Sequence, residues 1–304
     1  MKRSTQENNK EYLLGMFLVI TGAIAFSAKA VMIKLAYGYG SHIDAISLMM
    51  LRMLMSLPFF IIIAAISSRN TKQSSLTFKE WRMIFILGIV GYYLASFFDF
   101  KGLIHISAGL ERLILFLYPT FVVLLSSFLL KRPIRKIEVV ALLLSYAGIT
   151  FVVLDNISRD SENVIKGSLW IVASALAFAF FLIGSGEMTK RIGATRFTAY
   201  AMTISCIVTL FHYGLTHPLE LPGYQREVYV LALMIAIIST VIPSFLMNAG
   251  IRRVGASPAA IMSSIGPVST LILAYFFLNE TINYTQIMGT FLVLLGVYLV
   301  GKSK

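Results

Sequence analysis

The sequence predicts an all-α integral membrane protein, with ten transmembrane helices in two inverted five-helix repeats and both termini cytoplasmic. Three observations carry that expectation. Hydrophobic residues fill 58% of the 304 positions and charged residues only 13%, about half the charged fraction of a soluble domain. The apolar residues gather into ten runs near the roughly 20 residues that cross a bilayer. Basic residues alternate from one side of those runs to the other, as orientation signals do.

The runs cover about 14–36, 45–66, 83–100, 104–130, 137–154, 167–187, 197–216, 228–249, 256–278 and 284–301. The first follows Lys2, Arg3 and Lys10, is long, and lacks a small-residue cleavage site, so it reads as a retained span. Only Asp99, Lys101 and His105 separate the third from the fourth. Merging them would leave nine helices, and the charges argue against it. With ten spans, the termini and the gaps after helices 2, 4, 6 and 8 hold 18 of the 26 Lys and Arg, including Lys72, Arg132, Lys190 and Lys304. The opposite side holds Lys34, Lys101, Arg159, Lys166 and Arg226, while Lys29, Arg52 and Arg112 fall inside spans. Nine spans would put the later loops on the wrong side. Trp81 suits an interface belt at the cytoplasmic start of helix 3.

Residues 101–152 and 249–300 read as two copies of one segment, 148 positions apart. Ala108 meets Ala256, Pro119 meets Pro267, Phe128 meets Phe276, Leu130 meets Leu278 and Gly148 meets Gly296. A weaker echo, Ala23 to Ser27 against Ala175 to Ala179, lies at an offset of 152. Five helices per half is an odd number, so the halves insert oppositely. The loop after helix 4, Lys131 to Lys136, is strongly basic, and its counterpart, Asn279 to Tyr284, has no basic residue. The polar gap at 155–166 divides the chain into halves 1–155 and 156–304. Two inverted membrane halves suggest a transporter with its site between them.

Helix 4 begins Ser107-Ala108-Gly109 and runs to Tyr118-Pro119; helix 9 begins Gly255-Ala256-Ser257 and runs to Gly266-Pro267, followed by Asn279-Glu280. With the closing Gly289 to Gly296 pattern, these segments resemble the EamA-type members of the drug/metabolite transporter superfamily, over nearly the whole chain. The resemblance implies transport across a bacterial inner membrane by alternating exposure of a central cavity. It implies amino acids, nucleotide-related metabolites, amines or drugs as substrates, with efflux the commoner direction. One departure stands out. The family often places an acid after the helix-4-like segment of both halves, whereas here Glu280 is matched by Arg132.

An ionisable residue inside a span costs about 2.5–3.5 kcal/mol on insertion scales, so each one asks for a reason. Lys29 in helix 1, Arg52 in helix 2, Asp99 near the end of helix 3, and Glu111 and Arg112 in helix 4 share one depth band in the outer half. Glu111 stacks on the face of Ser107 and Tyr118, and Arg112 points about 100° away. One of the two is expected to line a cavity while the other pairs with Lys29, Arg52 or Asp99. The aligned positions, Ala259 and Ala260, carry no charge. Bland alternatives are snorkelling for Lys29 and Asp99 and a structural pin for Arg52.

Tyr92, Tyr93, Phe97 and Phe98 make helix 3 aromatic, and Trp170, Phe178 and Tyr200 enrich helices 6 and 7. Tyr93, Phe97 and Trp170 are taken as candidate cavity wall, with lipid-facing bulk as the alternative. Ser244 and Asn248 follow Pro243 in helix 8 and are further ligand candidates. Pro119 and Pro267, at matched mid-helix positions, are candidate hinges.

Other classes fare worse. The net charge of +12 is spread over loop ends, which disfavours nucleic acid. Cys206 is the single cysteine, so no internal disulfide forms and a buried thiol is expected. His42, His105, His212 and His217 lie near outer helix ends on separate loops, and no metal or other cofactor is expected. No Walker-type run or hydrolase motif occurs, and Gly184-Ser185-Gly186 has no base nearby in sequence. Expected partners are a small-molecule substrate and membrane lipids, with protons as the candidate coupling ion and a homodimer as the candidate assembly.

Overall fold

The computed structural model describes residues 2–40, 42–69, 76–131, 133–157, 161–218, 220–254, 259 and 262–302. The sequence readings at Lys72, Arg132, Arg159, Gly255, Ala256, Ser257, Ala260 and Lys304 lie outside these residues. The helices bounded among these residues are, in order, α1 (Lys2–Tyr37), α2 (Ala45–Arg69), α3 (Phe78–His105), α4 (Ala108–Leu129), α5 (Lys136–Ile157), α6 (Ser161–Ile192), α7 (Ala194–Thr216), α8 (Arg226–Val254), α9 (Ile265–Leu278) and α10 (Tyr284–Lys302). No strand occurs among the described residues. Eight of the helices are long and apolar enough to cross a membrane, and α9 and α10 are shorter apolar helices. Large apolar side chains such as Phe17, Phe128, Phe211, Phe276 and Phe291 face outward. In water that surface would be prohibitive, and in lipid it is the expected one.

Local chemistry sets the helix ends. Asp44 starts α2, its Oδ1 accepting from the Ile46 and Ser47 N–H groups at 2.8 and 3.1 Å. Thr77 and Glu80 form a reciprocal capping box at the start of α3. Between α3 and α4 the expected break at residues 101–103 moves to Ile106–Ser107. Lys101 and His105 stay helical, Ile106 is extended, and the Ser107 hydroxyl caps α4 by accepting from Leu110 N–H. A cap fixes a boundary more firmly than a charge does.

The two halves interleave as antiparallel pairs. Helix α1 packs on α8 as α6 packs on α3, and α2 on α7, α4 on α9 and α5 on α10 pair each helix with its own counterpart. The closest approaches repeat too. A Cβ on Gly250 would lie 2.9 Å from the Gly15 carbonyl oxygen, and one on Gly102 would lie 3.1 Å from that of Gly167. In the α5–α10 seam a Cβ on Gly148 would meet the Gly289 carbonyl at 2.8 Å, and one on Gly296 that of Ala141 at 2.7 Å. Small residues let these backbones touch, which is how helices associate in lipid. Lys131 and Asn279, matched positions, both end their helices with positive φ (52° and 53°).

Irregular backbone recurs at matched positions as well. Helix α3 contains a π-helical stretch, Gly88–Leu94, and α8 contains another, Ile237–Val241. Helix α4 breaks at Phe116–Leu117, and a turn at Ser264 precedes α9. Pro119 and Pro267 therefore do not kink a continuous helix, as the sequence suggested. Each sits in the first turn of the segment after a break, where a missing N–H costs nothing.

Candidate functional site

The breaks of α4 and α9 meet near α1. A Cβ on Gly266 would lie 3.2 Å from Ser27 Oγ and 3.6 Å from the Phe116 ring. Three other helices donate side-chain hydrogen bonds to a single turn of α1. Ser239 Oγ of α8 donates to the Ala25 carbonyl at 2.7 Å, and Thr270 Oγ1 of α9 to the Ser27 carbonyl at 3.2 Å. Arg112 of α4 donates from Nη2 to the Phe26 and Ser27 carbonyls at 3.1 and 3.3 Å.

The predicted charges gather beside this crossing. Lys29, Arg52, Asp99, Glu111 and Arg112 expose 6, 3, 1, 0 and 3% of their surface, which excludes snorkelling to a headgroup for any of them. Lys29 Nζ stands 2.6 Å from Asp99 Oδ2 and 5.2 Å from the centre of the Phe26 ring. Arg112 bonds Thr270 Oγ1 through Nε at 3.0 Å, and its guanidinium lies 5.8 Å from the centre of the same Phe26 ring. The partners of Arg112 are thus α1 carbonyls and a hydroxyl of the second half, and not Lys29, Arg52 or Asp99. It ties three helices together.

Glu111 is the more exposed to chemistry. Its Oε2 is 3.9 Å from Arg112 Nε, an ion-pair distance too long for a hydrogen bond. The carboxyl lies against Asp99 and in the field of Arg112 and Lys29. Written as a carboxylate, Glu111 accepts no hydrogen bond at either oxygen among the described residues, and Asp99 Oδ1 accepts none.

Arg52 stands apart. Its guanidinium lies 4.9 Å from the Phe100 ring centre, Nη2 is 3.8 Å from Met53 Sδ, and Nε meets no acceptor among the described residues. Behind it, Cys206 is buried and its thiol points to Met53 Sδ at 3.6 Å.

The aromatic candidates do not converge on the charges. Tyr93 Oη and His212 Nδ1 are 2.8 Å apart, and Phe97 packs on His212 at 5.3 Å, so this face of α3 turns to α7. Trp170 stacks on Phe98 at 5.6 Å, on a third face. Ser244 returns its hydroxyl to the Thr240 carbonyl of its own helix, and Asn248 bonds Thr198 Oγ1 at 3.3 Å. A cavity of about 240 Å³ between α4, α5 and α6, lined by Ile114, Ile149, Val153, Ser168 and Val172, contains none of the predicted site residues.

Sequence reasoning missed Phe26, Ser27, Phe100 and Thr270. The available signal was the adjacent hydroxyls of Ser269 and Thr270 in the apolar run of α9. It also missed what Glu280 does. That carboxylate, from the loop after α9, accepts from the Ala108 and Gly109 N–H groups at 2.9 and 3.3 Å. The second half thereby caps the short helix that carries Glu111 and Arg112, where a negative charge complements the helix dipole.

Comparison with known proteins agrees with this architecture. The model of the EamA-like transporter family matches twice, over residues 13–154 and 165–302. An uncharacterized transporter of Bacillus subtilis (strain 168), YcbK, is 30% identical over 295 residues, covering 95% of this chain and 93% of its own. Another from the same organism, YcxC, is 27% identical over 73% of this chain and 74% of its own. An uncharacterized transporter of Archaeoglobus fulgidus is 24% identical over 75% of this chain and 80% of its own. One solved crystal structure shares the fold, with a TM-score of 0.65 at 18% identity over 94% of this chain and 96% of its own. The chain is a multi-pass membrane protein and belongs to the EamA-like transporter family.

Proposed function

We propose that the protein is a secondary transporter that moves a small organic metabolite across the bacterial inner membrane by alternating access, in the efflux direction. The observation that carries the reading is the charged cluster of Lys29, Asp99, Glu111 and Arg112, enclosed at the crossing of α1, α3, α4 and α9. Buried charge of this kind is costly and marks solute or proton pathways. The halves 1–155 and 156–304 rock about this crossing, with both termini cytoplasmic. The break ahead of Pro119 lets the two ends of α4 tilt separately, and the turn at Ser264 frees the start of α9, as discontinuous helices do in other transporters.

Glu111 is the coupling group in this scheme. With its proton it donates to Asp99; without it, two carboxylates share one dry site beside Lys29 and Arg112. Exchange of that proton for solute on opposite faces links the two fluxes. No motif or constellation for catalysis accompanies the cluster, and the family and the named relatives point the same way. The test uses proteoliposomes loaded with each solute that stabilises the purified protein. Glu111→Gln is expected to lower proton-driven flux at least tenfold at equal protein level while keeping the melting temperature within a few degrees. Wild-type flux in that variant removes Glu111 from the mechanism.

A further inference from the structure

We propose that Arg52 receives the carboxylate of the transported solute, so that the substrates are small organic acids, amino acids among them. The inference rests on the transporter reading and adds the substrate class to it.

Partner accounting singles out Arg52. Lys29 has Asp99 at 2.6 Å. Arg112 has Thr270, two carbonyls and Glu111. Arg52 is as buried as either, yet among the described residues no carboxylate comes within ion-pair distance of it. Its contacts are the Phe100 ring, the Met53 sulfur and a bare Nε. A guanidinium stays charged in proteins and presents five donors in a fixed fork. Aromatic and thioether contacts leave most of that fork unused. A merely structural arginine in lipid-embedded protein is expected to hold carbonyls, as Arg112 does sixty positions later. The unfilled donors of Arg52 match a planar oxyanion taken two-pronged, which is the geometry of a carboxylate.

The other end of the cluster fits the same class. Asp99, one position before the Phe100 partner on α3, feels the Arg52 charge, and with both written as carboxylates neither Asp99 Oδ1 nor the Glu111 oxygens accept a hydrogen bond among the described residues. An α-amino acid would satisfy both ends, its carboxylate on Arg52 and its ammonium on the acids. A simple carboxylate would satisfy the first. A neutral or purely cationic solute would leave Arg52 as it is.

Melting temperatures of the purified full-length chain in detergent test this, since a ligand of the folded state stabilises it by mass action. The probes are the standard L-amino acids, their C-terminal amides, succinate, 2-hydroxypropanoate and inorganic phosphate. At least one carboxylate is expected to raise the wild-type melting temperature by several degrees, and its amide is not. Arg52→Met should melt higher than wild type without ligand, because it removes an uncompensated buried charge, and should lose the shift. Arg52→Lys, which keeps the charge and loses the fork, should need at least tenfold more ligand. A ligand-free Arg52→Met that melts lower than wild type would show a structural pin and overturn the proposal. Equal stabilisation by acid and amide, stabilisation by phosphate alone, or no stabilisation by any carboxylate would overturn it too. The Glu111→Gln flux result stands apart from all of these. Glu111-dependent flux of a solute without a carboxylate would keep the transporter and discard the acid.

Discussion

The crossing of α1 with α8 and α9 and the matched crossing of α6 with α3 and α4 are built on one backbone plan and filled with opposite chemistry. In the first, Phe26 lies under two cations, Lys29 at 5.2 Å and Arg112 at 5.8 Å. In the second, the matched Phe178 stacks on Phe181, the counterpart of Lys29, at 5.8 Å, and meets Tyr118 edge-on at 5.2 Å. Asp99 is answered by Met247, and Glu111 by the buried Ala259. Gly91, matched to Ser239, has no room for a Cβ because the Phe181 ring occupies that space. The glycine contacts and π-helical stretches, by contrast, recur in both halves. Backbone packing is thus what the repeat preserves, since lipid offers no other way to hold helices together. Charge is what it allows to differ, so a single asymmetric cluster sits in a two-fold frame.

The strongest way to break that comparison is to remove one side of the ion pair. Asp99→Asn strands Lys29 in a dry site and should cost about 3–5 kcal/mol, whereas Met247→Leu in the other half should cost less than about 1.5 kcal/mol. Denaturation of the purified variants reads both. The double change Lys29→Met with Asp99→Leu should recover most of the stability and none of the transport. A smaller effect sharpens the symmetric part. Gly102→Val and Gly250→Val crowd matched carbonyls and should each cost about 1–3 kcal/mol; a large loss for one and none for the other would show that the halves do not share a packing plan. Smallest is Glu280→Gln, which keeps an acceptor at Ala108 and Gly109 but removes its charge, for a loss of about 0.5–2 kcal/mol. No change in melting temperature would show that α4 holds its end without the second half.

The apolar helices, eight of spanning length and two shorter among the described residues, were legible because a bilayer imposes length and apolarity on every crossing segment. The repeat was legible at Pro119 and Pro267 because proline is tolerated at few helical positions, although their place after a break was not. Among the site residues, Lys29, Asp99, Glu111 and Arg112 stood out by charge alone, and the structure brings them together. Tyr93, Phe97, Trp170, Ser244 and Asn248 were chosen by residue type, and the structure spends them on His212, Phe98, a helical carbonyl and Thr198 instead. An aromatic or hydroxyl side chain in a span has many ordinary partners, so its identity says little about the direction it faces.

What the sequence determined by itself is the all-helical membrane class, the internal repeat and the presence of charge within apolar segments, all of which follow from hydropathy and spacing along the chain. Only the tertiary structure decided who meets whom: Lys29 with Asp99, Arg112 with α1 and α9, Glu280 with the start of α4, and Arg52 with no acid among the described residues. Those pairings depend on helix rotation and on close approaches at glycines such as Gly102 and Gly250. A rotation of one residue, about 100°, turns a partner into a stranger while leaving the hydropathy profile unchanged.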